Sequence, residues 1–142
     1  ERPWEGGLED TMEDSLKQQT EWNRAVIFDE AGTILAKTAE VSAGDISAMT
    51  SAFNDRDTTY GNGLNVNGTN YEVHRFYEDQ GLIYGRTHSV DPQNGEGICL
   101  ARVKRGTTGA NNFALITYRF PILSAKAVPD LQAWTKEWIT NQ

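Results

Sequence analysis

Apolar residues along this chain repeat with two different periods, and the switches between them divide it into elements. Leu8, Met12 and Leu16 recur every four residues, with acids concentrated in the first turns where the helix dipole favours them, which predicts a short amphipathic helix with one narrow buried stripe. Residues 22–28 are rich in β-branched and aromatic side chains, and residues 33–38 read as their partner strand across Asp29-Glu30-Ala31-Gly32, a hairpin whose glycine supplies the turn. Ser42 is placed to cap a helix whose apolar face is Ile46, Met49 and Phe53 and which ends in the polar run 54–59. Asn67-Gly68 tolerates the positive φ angles of a type I′ turn and joins a strand at 64–66 to one at 71–77. Further strands are predicted at 82–87, 98–103 and 113–120, separated by loops at 89–97 and 104–112 that are rich in Gly, Asn and Thr. Pro129 suits the first position of a last helix, in which Leu131, Trp134 and Trp138 repeat at i, i+3 and i+7.

The order is helix, hairpin, helix, a run of antiparallel strands and a helix, with no internal repeat. It implies an α+β domain in which a mostly antiparallel sheet is covered by helices. Residues 1–7 combine Pro, paired Gly and charge without periodicity and read as a flexible N-terminal extension, which leaves residues 8–142 as the domain. With 142 residues, 38% of them apolar, the chain has material for one core. No apolar run approaches the ~18 to 20 residues that span a bilayer, and no signal-peptide pattern opens the chain. Cys99, the only cysteine, lies in the apolar run 98–103 and reads as a buried small hydrophobe of a protein in the reducing cytoplasm.

Charge changes the picture in one respect. The formal net charge of −7 argues against general nucleic-acid binding, which needs a basic footprint. Residues 1–21 hold seven acids against two bases, whereas between Tyr71 and Phe120 six basic residues meet five acids, so the strand-rich centre is suited to an acidic partner.

Enzymatic constellations are thin. His74 and His88 sit in strand patterns with no acid at metal-binding spacing, and activation of Cys99 as a nucleophile would need a specifically placed base. Arg105-Gly106-Thr107-Thr108-Gly109 resembles a phosphate loop only in composition and lacks its Lys-Ser/Thr ending, so it reads as a hairpin tip. Asp55, Asp57 and Thr59 begin like a calcium loop, but Tyr60 takes the sharp-turn glycine position and Val66 the position of the bidentate Glu. Asn67-Gly68-Thr69 matches the glycosylation pattern and reads as the tight turn itself. No cofactor or metal is expected. Four tryptophans admit two readings: Trp22 and Trp134 as core or as ligand contacts, Trp138 on the last helix, and Trp4 as an aromatic in the extension that folds onto the domain or meets a ligand.

Taken together from Leu8 onwards, these residues resemble the profilin family. Ala25-Val26-Ile27-Phe28 followed by Gly32-Thr33-Ile34-Leu35-Ala36-Lys37-Thr38 looks like the profilin hairpin, with its Gly-x-Val-Trp-Ala-x-Ser second strand. Gly63-Leu64-Asn65-Val66-Asn67-Gly68-Thr69-Asn70-Tyr71-Glu72-Val73 is similar to the family's Gly-Leu-x-apolar-Gly-Gly-x-Lys-Tyr-x-Val hairpin, and Arg86-Thr87-His88, the later strands and the closing helix come in family order. The resemblance implies a profilin-like fold with the terminal helices on one face of the sheet and a shorter helix on the other. It implies a monomer that binds monomeric actin through strands in the middle of the sheet and the start of the last helix, here Tyr60, Asn70, Glu72, Val73, Arg75, Arg86, His88 and Lys126. Without the resemblance, Arg75 and Arg86 read as ordinary cross-strand surface charges. Asn70 replaces the family's usual Lys.

The resemblance also implies a groove for proline-rich peptides between the terminal helices, formed of rings that suit a polyproline II helix. Here Leu35 stands where the family has the central Trp, so the expected site is rearranged around Trp4, Trp22, Trp134 and Trp138. Phosphoinositide head groups, a further family ligand, would use Arg102, Lys104 and Arg105, weakly at this net charge. The rival reading is a sensor or scaffold domain of the PAS, longin or roadblock kind on a similar sheet, without actin binding.

Overall fold

The computed structural model describes residues 11–142, and the expected extension 1–7 with Trp4, together with Leu8, lies outside the described residues. The chain builds helix α1 (Met12–Lys17), strands β1 (Arg24–Asp29) and β2 (Ile34–Lys37), helix α2 (Ala43–Thr50), a 3-10 turn (Ala52–Asn54), and helix α3 (Arg56–Asn62). Strands β3 (Leu64–Val66), β4 (Thr69–Tyr77), β5 (Leu82–Thr87), β6 (Glu96–Lys104) and β7 (Asn111–Arg119) follow, with a 3-10 turn at Pro92–Asn94 before β6. Helix α4 (Ser124–Thr135) then runs into a π turn (Lys136–Thr140).

The seven strands form one antiparallel sheet in the order β2-β1-β7-β6-β5-β4-β3. Because successive side chains of a strand point to opposite faces, each central strand serves two cores. Ala25, Ile27, Cys99, Ala101, Ala114, Ile116 and Tyr118 pack beneath α1 and α4 with Leu16, Trp22, Leu131 and Trp134. Val26, Phe28, Ile98, Leu100, Phe113 and Leu115 pack on the other side with Ile46, Met49 and Phe53. Small side chains on the first face let the terminal helices approach the sheet closely. A large apolar side chain fully buried in such a layer contributes about 1.5–3 kcal/mol.

Caps fix the helix starts. Thr11 and Asp14 form a reciprocal capping box on α1. Ser42 Oγ accepts from Asp45 N at 3.2 Å, as the spacing predicts. Asn67 and Gly68 adopt φ of 49° and 90°, the type I′ geometry expected of the β3–β4 turn.

Two elements differ from the sequence expectation. The polar run after Phe53 does not end the helical region: Asp55 caps Thr58 N at 3.2 Å and starts α3, which the buried Thr59 hydroxyl ties back to Ala52 O at 2.5 Å. Pro129 is not the first residue of the last helix but lies inside it, since α4 begins at Ser124. Its missing N–H leaves the carbonyl of Ala125 without a helical donor, and Ala125 is exposed, where water can take that place. No helix among the described residues is long and apolar enough to cross a membrane.

Candidate functional site

The terminal-helix face of the sheet is covered unevenly. Helix α1 packs against β2, and α4 lies over β6 and β7. Further along the same face, β5 and β4 carry Glu72, Arg75, Tyr77, Tyr84 and Arg86, which alternation alone would not bring together. Their common direction comes from a bulge. Glu72 pairs with Arg86 and Val73 with Gly85, but the next pair is Arg75 with Tyr84, so His74 is an extra residue in β4. If His74 instead took a regular place in the ladder, Arg75 would point with Val73 to the opposite face; with the bulge, Tyr71, Val73 and Phe76 are buried below while Glu72 and Arg75 face the same side. Gly85 is required across from the bulge, because a Cβ there would lie 1.7 Å from the Glu72 carbonyl oxygen and 3.0 Å from His74 N.

Between this strand pair and the first turns of α4 runs an open groove of about 540 Å³, lined by His74, Arg75, Tyr84, Gly85 and Arg86 on one side and by Ser124, Ala125, Val128 and Pro129 on the other. The floor is well supported. Tyr118 Oη and Ser124 Oγ are 2.7 Å apart, which links β7 to the start of α4. Burial, and then the neighbouring Tyr77 hydroxyl, pushes the Tyr84 phenol up from its ordinary range. Paired across the ladder with the groove residue Arg86 is Glu72, whose carboxylate lies 2.9 Å from His88 Nδ1 and 3.7 Å from His74 Nε2. Arg75 Nη1 donates to His74 O at 2.8 Å, which holds the guanidinium along the sheet.

Of the residues expected at an actin surface, the structure brings Glu72, Arg75, Arg86 and His88 together, with His74 added between them. Asn70 lies at the outer end of β4, donating to Asn62 O at 2.9 Å and Asn65 Oδ1 at 3.0 Å. Lys126 is on α4 but turned from the groove: hydrogen bonds to Asp130 at 2.7 Å and Glu21 at 2.5 Å push its ammonium up to about 12. Two residues are not on this surface. Val73 is 7% exposed and packs into the opposite core, as strand alternation dictates. Tyr60 belongs to α3 on that opposite face, where its ring meets Phe76 and carries the Arg56 guanidinium 4.9 Å above it.

Trp22 and Trp134 resolve as core. They are buried and meet edge to face at 6.3 Å, and Trp134 Nε1 donates to Ser15 Oγ at 2.9 Å. Trp138, half-buried, stacks on Trp134 at 6.2 Å, with Leu35 and Met12 packed against the same cluster. Of the basic trio, Arg102 and Lys104 line one cleft with Glu78 and Asp79, the Arg102 guanidinium also lying over the Phe53 ring at 4.6 Å, and Arg105 is at the β6–β7 hairpin end. Cys99 is fully buried beneath α4, and burial pushes its thiol far up, which leaves it unreactive.

Sequence reasoning missed His74 as a site residue. Its role depends on the bulge, and the only signal in the chain is Gly85, a glycine inside a strand pattern. Glu96 was missed as well: it sits largely buried at the start of β6, accepting hydrogen bonds from Tyr71 Oη and from Asn23 Nδ2 at 2.8 Å, with Arg24 at 3.3 Å and Arg119 at 3.4 Å. Burial works to raise its carboxyl, but these donors and charges together hold it below the ordinary glutamate range.

An antiparallel seven-stranded sheet with the terminal helices on one face defines the profilin fold. The profilin family model matches residues 7–107, and the chain belongs to the profilin family. Profilin II of Acanthamoeba castellanii is 22% identical with a TM-score of 0.65, covering 84% of this chain and 86% of its own. The profilin of Schizosaccharomyces pombe is also 22% identical, with a TM-score of 0.65 over 82% of this chain and 84% of that one. LokiProfilin1, solved in complex with rabbit actin, is 12% identical with a TM-score of 0.64 and covers 99% of this chain and 97% of its own. At these identities the likeness is one of fold. A search of curated protein sequences found no match. The family match does not favour the PAS, longin or roadblock alternative.

Proposed function

We propose that this profilin is a cytoplasmic, monomeric, non-enzymatic protein that binds monomeric actin through the open half of the terminal-helix face and so regulates polymerisation. The observation that carries the reading is the β4 bulge, which sets Glu72 and Arg75 beside Arg86 on a rigid sheet next to the exposed start of α4. Guanidinium groups held on such a frame offer paired donors to carboxylates and steer an acidic partner. LokiProfilin1, of similar fold, has been solved with rabbit actin, which supports the same partner class. Asn70 and His88 extend the surface along the sheet, and Lys126, held by Asp130 and Glu21, would have to exchange these partners to join it from α4. Tyr60 and Val73 act from behind, holding β4 in place.

The finer ligands are weak. A proline-rich peptide would meet Trp138 beside Leu35 and Met12, with Trp4 supplied by the extension, because Trp22 and Trp134 are committed to the core. Phosphoinositide head groups would meet Arg102, Lys104 and Arg105 beside Glu78 and Asp79, whose charge opposes an anionic ligand. Spontaneous assembly of pyrene-labelled actin tests the main reading: the protein is expected to slow nucleation in proportion to its concentration, and assembly curves unchanged at tens of micromolar would refute it.

A further inference from the structure

Both histidines of the chain converge on one carboxylate of this face. Glu72 Oε2 is 2.9 Å from His88 Nδ1 and Glu72 Oε1 is 3.7 Å from His74 Nε2. All three are open to solvent and to a partner, with side chains 50%, 84% and 46% exposed for Glu72, His88 and His74. Arg86 lies opposite Glu72 in the ladder and Arg75 lies one bulge away.

The other groups that face this trio are few. Strand β4 adds Arg75 and Tyr77, and β5 adds Tyr84 and Arg86. The flank of α4 lining the groove, Ser124, Ala125, Val128 and Pro129, is uncharged, and Lys126 is paired with both Asp130 and Glu21. Beneath lie Gly97 and Cys99 of β6 and Tyr118 of β7, all buried. The loop after His88 brings Asp91, whose carboxylate accepts from Gln93 N at 2.9 Å and Asn94 Nδ2 at 3.4 Å.

Imidazole is the side chain that changes charge between about pH 5 and 8. With both rings neutral, Glu72 and Asp91 balance Arg75 and Arg86; with both protonated, two positive charges are in excess, and Glu72 is matched on both oxygens. We propose that His74 and His88 make this face a pH-tuned docking surface, which holds its acidic partner more tightly at about pH 6 than at about pH 8. The inference rests on the actin reading above. A lone histidine at a surface adds one charge wherever it stands, whereas two on one carboxylate both remove a repulsive group and add attraction at the same place.

The test is calorimetric titration of the full chain with latrunculin-bound monomeric actin at about pH 6 and about pH 8, for the wild type and for His74→Gln/His88→Gln. Each pair of measurements contains actin's own titration, so the quantity read is the ratio of the two affinities compared between proteins. The wild type is expected to bind about three- to tenfold tighter at the lower pH relative to the double variant, a gain that shrinks in high salt. Equal ratios for the two proteins overturn the inference and leave actin binding standing. Absence of binding by the wild type at both pH values overturns the actin reading and the inference with it. Matching thermal melts of the two proteins establish that the exposed substitutions leave the fold intact.

Discussion

Two halves of one sheet face are built to opposite rules. Under α1 and α4 the sheet presents Ala25, Ile27, Ala101, Ala114, Ile116 and Cys99, small or apolar and sealed from water by Leu16, Trp22, Leu131 and Trp134. On β4 and β5 the same face presents Glu72, Arg75, Tyr77 and Arg86. A helix could not settle on the second half without stripping water from these charges, a cost far above what its contacts return. The charged half therefore stays open, supported by the core on the reverse side, where Tyr71, Val73 and Phe76 are buried. One half holds the protein together and the other stays exposed.

Removing a helix anchor from the covered half gives the largest expected effect. Leu131→Ala, at a fully buried position, should destabilise the fold by about 2–5 kcal/mol in urea unfolding, while the protein that remains folded binds actin normally. Gly85→Ala attacks the border between the halves: the added methyl meets the Glu72 carbonyl, so a loss of about 1–3 kcal/mol is expected together with weakened actin binding as the bulge shifts. A variant that lost stability but kept full affinity would show that the bulge does not set the surface. Glu96→Gln sharpens the comparison from the opposite core, where about 1–3 kcal/mol is expected to be lost with Tyr71, Asn23, Arg24 and Arg119 left poorly matched. Because the folded carboxyl ionises below its ordinary value of 4.5, its contribution is complete above that value and is lost as pH falls from there through the lower value of the folded state. Unfolding midpoints measured against pH should thus decline less steeply in acid for the variant than for the wild type.

The covered half was legible in the sequence because burial writes itself as periodicity. Ala25 to Phe28 reads as a two-sided strand, Leu131 and Trp134 as a helix stripe, and Ser42 and Asn67-Gly68 as a cap and a turn, and each stands where its chemistry requires. Helix α3 escaped because Arg56 to Asn62 has almost no apolar stripe; a cap at Asp55 and the Thr59 hydroxyl hold it instead. Pro129 misled because a proline can sit inside a helix when the carbonyl it orphans faces water. The open half was legible only in part. Resemblance pointed to Glu72, Arg75, Arg86 and His88, but strict alternation would have put Glu72 and Arg75 on opposite faces. One inserted residue decides which side chains share a surface, and a strand pattern does not announce it.

The central claim is that the open half, and not the sheet as a whole, meets actin. Its most direct test is the affinity of Arg75→Glu/Arg86→Glu for monomeric actin beside that of the wild type, with unfolding followed in parallel. At these partly or fully exposed positions stability should stay within about 1 kcal/mol, while binding should weaken by about tenfold or more, since reversed charges meet an acidic partner. A doubly reversed protein that folds normally and binds actin as tightly as the wild type would contradict the account.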